Sequence, residues 1–244
     1  MEYIDYRYFT KDFSYEKYML TIDEVIECID TAVQQRKPYS LARFGHAEIA
    51  ELREIPDLYQ NMTYYRHYNG LENQDVRVEL IKAFLSATTV GVLPTFADMS
   101  GAAQSRQTFV KLGLGFHTIC SAWITHRIAE LPNFWNWMKQ YRVMLVGRRA
   151  EEAAPVFGRN GVHVAGAVDL EGYAQLESAY EQIAGNDDWQ IAIISAGVPA
   201  TILAPRLAAT TGKVAIDFGH ALDLILDGER FDFEALVKKL GGMG

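Results

Sequence analysis

The sequence predicts an α/β fold of the doubly wound kind, a mostly parallel sheet with helices on both faces. Three observations lead there. Short β-branched apolar runs alternate with segments of helical periodicity, most regularly from Arg142 onward. Several of those runs end in a turn built of glycine and polar residues, as strand-to-helix junctions do. Composition is that of a globular chain, with 49% hydrophobic and 22% charged residues, and 244 residues suffice for one large core.

In chain order, Ile22, Val25, Ile26, Ile29 and Val33 recur at helical spacing, with Asp23 and Glu24 where a first turn favours negative charge. Tyr39 to Phe44 reads as a strand stopped at Gly45, and Glu48 to Arg53 as a helix. Val76, Leu80, Ile81 and Phe84 give another helix, and Thr88 to Leu93 a strand that Pro94 ends. Thr95 to Gly115 has no clean period and reads as loop with one undefined helix. Ala122 to Lys139 is helical and aromatic, broken at Pro132, with Trp123, Phe134, Trp135 and Trp137 as packing residues.

The second half continues as a strand (Arg142 to Val146), a helix (Ala150 to Gly158), a strand (Val162 to Val168) and a helix (Leu170 to Ala184). Strands at Gln190 to Ser195 and Lys213 to Phe218 flank a helix that starts near Pro199 and is kinked at Pro205. With no linker or repeat, residues 1–244 are expected to form a single domain.

The charge balance is acidic, 31 Asp and Glu against 23 Lys and Arg, which disfavours a nucleic-acid partner. Met1 to Thr10 lacks the pattern of a secretory signal, and no apolar stretch is long enough to span a bilayer, so a cytoplasmic location is expected. Cys28 and Cys120 lie far apart in apolar-periodic segments and read as reduced core thiols.

A parallel sheet binds ligands beyond the carboxyl ends of its strands, so four turns become candidates. In Arg43-Phe44-Gly45-His46-Ala47-Glu48, Gly45 permits a sharp turn, and His46 with Glu48 suits a divalent ion touching a diphosphate. The competing reading is an Arg43–Glu48 ion pair with His46 capping the helix. Ser195-Ala196-Gly197-Val198-Pro199 opens into a helix start whose backbone amides suit phosphate; a tight turn without a ligand fits equally well. Gly147-Arg148-Arg149 offers two guanidinium groups for phosphate, or surface arginines paired with Glu151 and Glu152. Asp217-Phe218-Gly219-His220 combines a carboxylate and an imidazole able to act as a base, or caps a helix. His67, His117, His126 and His163 lack ligand spacing and read as packing or surface residues. No CxxC, HExxH, GxSxG, Walker or GxGxxG pattern occurs, which weakens zinc, serine-hydrolase, P-loop and dinucleotide-binding readings.

From about Thr21 to Asp223 the chain resembles the bacterial glycosyltransferases of GT-D fold, formerly a domain of unknown function. The resemblance rests on Ser40-Leu41-Ala42-Arg43-Phe44-Gly45-His46-Ala47-Glu48, Leu145-Val146-Gly147, Ser195-Ala196-Gly197 and Ile216-Asp217-Phe218-Gly219-His220. It implies a Rossmann-like domain that transfers a sugar from a nucleotide-diphosphate sugar, UDP-sugar by class, using an Asp-x-Glu motif after the first strand. Here that motif reads His46-Ala47-Glu48.

By the resemblance, Glu48 and His46 are the metal residues for Mn²⁺ or Mg²⁺, and Asp217, with His220 beside it, supplies the base. Arg43, Gly45, Arg148, Arg149, Ser195, Ala196 and Gly197 make up the expected donor and diphosphate site. The implied partners are a nucleotide-sugar donor and a glycan or glycoprotein acceptor hydroxyl; homo-oligomerisation stays open. A non-catalytic nucleotide-sugar binding module or partner subunit is the alternative.

Overall fold

A computed structural model describes residues 15–53, 69–70 and 75–232. The stretch Met1 to Thr10 and His67 lie outside the described residues. Eight strands among the described residues form one sheet: β1 (Met19–Leu20), β2 (Tyr39–Phe44), β3 (Thr89–Val92), β4 (Ile119–Ser121), β5 (Arg142–Gly147), β6 (His163–Val168), β7 (Ile191–Ser195) and β8 (Val214–Asp217). Their order is β1-β4-β3-β2-β8-β7-β5-β6, and every pairing is parallel. This is the predicted α/β architecture. The short strands β1 and β4 were not anticipated, because two or three residues are too few for a periodic signal.

Side-chain alternation sorts the helices onto the two faces. Leu41 of β2, Val143 and Leu145 of β5, and Ile191 and Ile193 of β7 point to one core. That core is covered by α1 (Ile22–Gln35), α5 (Ile124–Ala129), α6 (Phe134–Met138), α7 (Ala150–Arg159) and α10 (Ala221–Asp227). On the other face, Ala42, Phe44, Val90 and Val92 pack with α2 (His46–Leu52), α3 (Asp75–Ser86) and α4 (Met99–Leu112). Met144, Val146, Ala192 and Ile194 pack there with α8 (Leu176–Ala184) and α9 (Val198–Thr211).

Local chemistry sets the helix limits. At α1, the Thr21 side chain accepts from the Glu24 amide while Glu24 reaches back to the Thr21 N–H, a complete capping box. The undefined stretch after Thr95 holds α4, whose first turn is capped by Asp98 accepting from the Gly101 amide at 2.9 Å. Its buried face is made partly of Gly101, Ala102, Ser105 and Thr108, so apolar periodicity is faint. The helix expected from Leu170 begins with a 3-10 turn, Tyr173–Gln175, before α8. The aromatic segment does divide around Pro132, into α5 and α6. Among the described residues, no helix is long and apolar enough to cross a membrane.

Helix α9 decides where a site can form. It is buried along most of its length, including Val198, Pro199, Thr201, Leu203 and Leu207, and it packs over both central strands, β2 and β8. Register aligns the strand ends beside it: Phe44 pairs with Val92, Val92 with Ser121, Ile194 with Asp217, and Gly147 with Ser195. The turns after β2, β3, β4, β5, β7 and β8 therefore open at one edge of the sheet.

Candidate active site

A cavity of about 230 Å³ occupies that edge. Its walls include Arg43, Gly45, His46 and Glu48 from the β2 turn, Ser195 and Gly197 from the β7 turn, and Arg148 from the β5 turn. Gly219, His220 and Asp223 come from the β8 turn, and Ala122, Trp123 and His126 from the segment after β4. Expected site residues from all four turns thus share one opening.

At its floor is a buried network. Asp217, 2% exposed, accepts from the Arg43 backbone N–H and from Arg43 Nε, both at 3.2 Å, and its Oδ1 lies 3.2 Å from Arg43 Nη2. Arg43 Nη1 donates to the Ala122 carbonyl at 3.0 Å, which ties β2 to the β4 turn. Thr201 Oγ1 on α9 lies 3.0 Å from Asp217 Oδ2, 3.1 Å from the Arg43 carbonyl and 3.4 Å from Glu48 Oε1. The arginine thus pairs with Asp217 and not, as the structural reading of the turn had it, with Glu48.

Glu48, 7% exposed, accepts the Gly45 N–H at 2.9 Å through Oε2, which caps the first turn of α2. Burial, reinforced by the nearby Asp217 charge, raises its pKa to about 7, while backbone hydrogen bonds and Arg43 pull the other way. His46 does not cap the helix. Its Nε2 lies 2.6 Å from Asp98 Oδ2, and Asp98 is itself the cap of α4. His220 is exposed on the cavity wall; desolvation, then Arg43, lower its pKa, which favours the neutral ring.

The remaining expected residues divide. Arg148 lies on the cavity wall, half exposed, with Nη2 4.0 Å from Asp223. Arg149 lies outside the lining, held by Glu152, Asp223 and Asp227 at 2.7 to 3.2 Å, an arrangement that includes the Glu152 pairing weighed above. Ser195 donates its hydroxyl to the Gly219 carbonyl at 2.6 Å. Ala196 is buried beneath the surface. Gly197 takes φ 62° and ψ −140°, a conformation open to glycine, and starts α9. The Val198 N–H is already bonded to Asn69 Oδ1 at 2.9 Å, which leaves fewer helix-start amides for an anion than the turn suggested.

The family signature of the GT-D fold-like domain matches residues 20–225. The chain belongs to the GT-D-like family. Among solved structures it is similar to a glycosyltransferase of domain 1792 type from Streptococcus sanguinis, at 14% identity and TM-score 0.59, over 86% of this chain and 85% of that one. A second structure, described as the highly conserved domain of unknown function 1792 with a distinct glycosyltransferase fold, shares 16% identity at TM-score 0.58, over 86% and 82%. At these identities the likeness establishes the fold. No curated protein matches the chain.

His46 is joined to Asp98, Glu48 Oε2 caps α2, and no group of three His, Cys, Asp or Glu among the described residues is placed to hold an ion. Among the described residues, the side chains do not make a metal site by themselves.

Sequence reasoning missed Asp98, Thr201, Asn69, Trp123 and His126. Asp98 had a detectable signal, an acid placed to cap the helix that follows. Thr201 had none, being the one polar residue in the apolar first half of its helix. Trp123, which the sequence presents as a packing residue, and His126, as a packing or surface residue, both line the cavity.

Proposed function

We propose that the chain transfers a sugar from a nucleotide-diphosphate sugar, of UDP-sugar class, to a hydroxyl of a glycan or glycoprotein. The observation that carries this reading is the convergence of Glu48, Arg148, His220 and the Arg43–Asp217 pair at the carboxyl edge of the central strands. Ligands of doubly wound folds bind at that edge. Arg148, half exposed on the cavity wall, offsets charge on the departing diphosphate.

Asp217 has its oxygens engaged by Arg43 and Thr201, so it acts by positioning Arg43 and not as the base expected from the sequence. The neutral imidazole of His220 takes the acceptor proton, and Glu48, its pKa raised by burial and by Asp217, holds the acceptor or donor hydroxyl through its carboxyl.

The test is donor turnover by wild type and by Glu48→Gln, measured with UDP-sugars and several acceptors, with and without Mn²⁺ or Mg²⁺. Turnover is expected in wild type and to fall about tenfold to a hundredfold in the variant, the span of one hydrogen bond to a charged group. Unchanged turnover in a folded variant removes Glu48 from the mechanism. The engagement of His46 by Asp98 favours a second reading, a binding module that holds the nucleotide sugar without turnover; UDP binding by calorimetry with no turnover under any metal condition selects it.

A further inference from the structure

Beside the cavity at the strand ends lies a second one, of about 220 Å³. Trp123, partly exposed, borders both. The second cavity is largely apolar, walled by Met19 and Leu20 of β1, Ile22 of α1, Ile124 of α5, Phe96 and Trp123. Phe96 is 59% exposed, a large apolar ring that the core does not take up.

Polar groups on that wall are committed within the chain. Thr21 Oγ1 lies 2.8 Å from Glu24 Oε2, Glu16 accepts the Thr95 N–H at 2.7 Å, and Ser121 Oγ accepts the Trp123 N–H at 3.2 Å. Arg127, the cation of the wall, is exposed to solvent. Hydrocarbon suits such a wall, whereas a peptide segment would bring backbone N–H and C=O groups that burial there leaves unpaired.

Sheet order places this cavity relative to the chemistry. From β5 toward β1, the strand ends carry Arg148, Ser195, His220, His46 and Trp123 in turn, and the second cavity completes the row over β4 and β1. The cation assigned to the diphosphate and the apolar cavity thus stand at opposite ends, with His220 between them.

We propose that the second cavity holds the hydrocarbon part of the acceptor, so that the acceptor is a glycan carried on an alkyl chain. The inference rests on the sugar-transfer reading and adds to it the class of acceptor. A donor with its diphosphate at Arg148 and its sugar toward Trp123 leaves the β4 side for acceptor entry. An alkyl chain seated against Leu20, Ile22, Ile124 and Phe96 then brings the sugar hydroxyl it carries past Trp123 to the donor. Each methylene removed from water strengthens binding by about fourfold.

The test is calorimetry of methyl, butyl and hexyl glycosides of glucose, galactose and N-acetylglucosamine, with and without UDP, on wild type, Phe96→Ala and Ile22→Ser. For at least one sugar, wild-type affinity should rise about tenfold or more from methyl to hexyl. Each variant should lose about threefold or more of that gain, with UDP affinity unchanged. Phe96 is exposed, so its variant remains informative if Ile22→Ser fails to fold. Affinity independent of chain length, or a gain that Phe96→Ala and a folded Ile22→Ser both keep, overturns the acceptor subsite and leaves the transfer reading standing. A serine peptide bearing the same sugar and binding as tightly as the hexyl glycoside overturns it too. Failure of wild type to bind UDP, UDP-glucose, UDP-galactose or UDP-N-acetylglucosamine rejects the transfer reading itself, and the acceptor assignment with it.

Discussion

At the scale of single residues, Glu48 couples the fold to pH. Its folded pKa, about 7, lies above the ordinary carboxyl value of 4.5 because burial and Asp217 disfavour the charged form. Between those values the folded chain binds more protons at this position than the unfolded chain does. The contribution is therefore fully present below pH 4.5 and is lost as pH rises through about 7. Urea unfolding of wild type and Glu48→Gln from pH 5 to pH 8 should show wild-type stability declining relative to the variant, by at most about 1.4 kcal/mol per pH unit. A constant difference across that range means that Glu48 is charged throughout.

At the scale of elements, the turn after β8 is fitted to the arginine it faces. Gly219 takes φ +55°, and a Cβ built there would lie 1.6 Å from Arg43 Nη2. Gly219→Ala should thus strain the turn and push Arg43 off Asp217, at a cost of about 1–3 kcal/mol, with donor turnover falling further than the stability loss accounts for. Thermal melts and turnover on the same preparation check this; a variant with wild-type values in both would show that Arg43 has room to move aside.

The contrast between turns explains what was legible. Gly45, Glu48, Arg148 and His220 follow strands, and Arg43 lies near the end of one, whose apolar runs are plain in the sequence, so parallel topology alone brought them to one edge. Asp98, Trp123 and His126 hang from the part of the chain between β3 and β5. There α4 buries glycine, serine and threonine, and β4 is three residues long. Periodicity reports apolar burial, and where burial is carried by small polar residues it loses the element and the site residues with it. Helix α9 was visible from Pro199 onward, but nothing local marked Thr201 as the point where Arg43, Glu48 and Asp217 meet.

At the scale of the whole molecule, the cavity is assembled from distant parts of the chain, residues 43–48 on one side and 195–223 on the other, joined where β2 pairs with β8. Central strands should then control fold and site together, while an edge strand controls little beyond itself. Leu41, fully buried on β2, sits in register with Thr89 of β3 and Ile216 of β8. Leu41→Ala should cost about 2–5 kcal/mol through lost burial and a residual cavity, which for a chain of this size lowers Tm by about 5–15 °C. Val164 on edge strand β6 is only partly buried, so Val164→Ala should cost about 1 kcal/mol or less. Thermal unfolding followed by far-ultraviolet dichroism and by ligand binding distinguishes the cases, because one cooperative sheet loses both signals together. Equal Tm shifts for the two variants, or loss of binding well before loss of secondary structure in Leu41→Ala, would mean that the two halves of the sheet melt separately and that the site depends on docking between them.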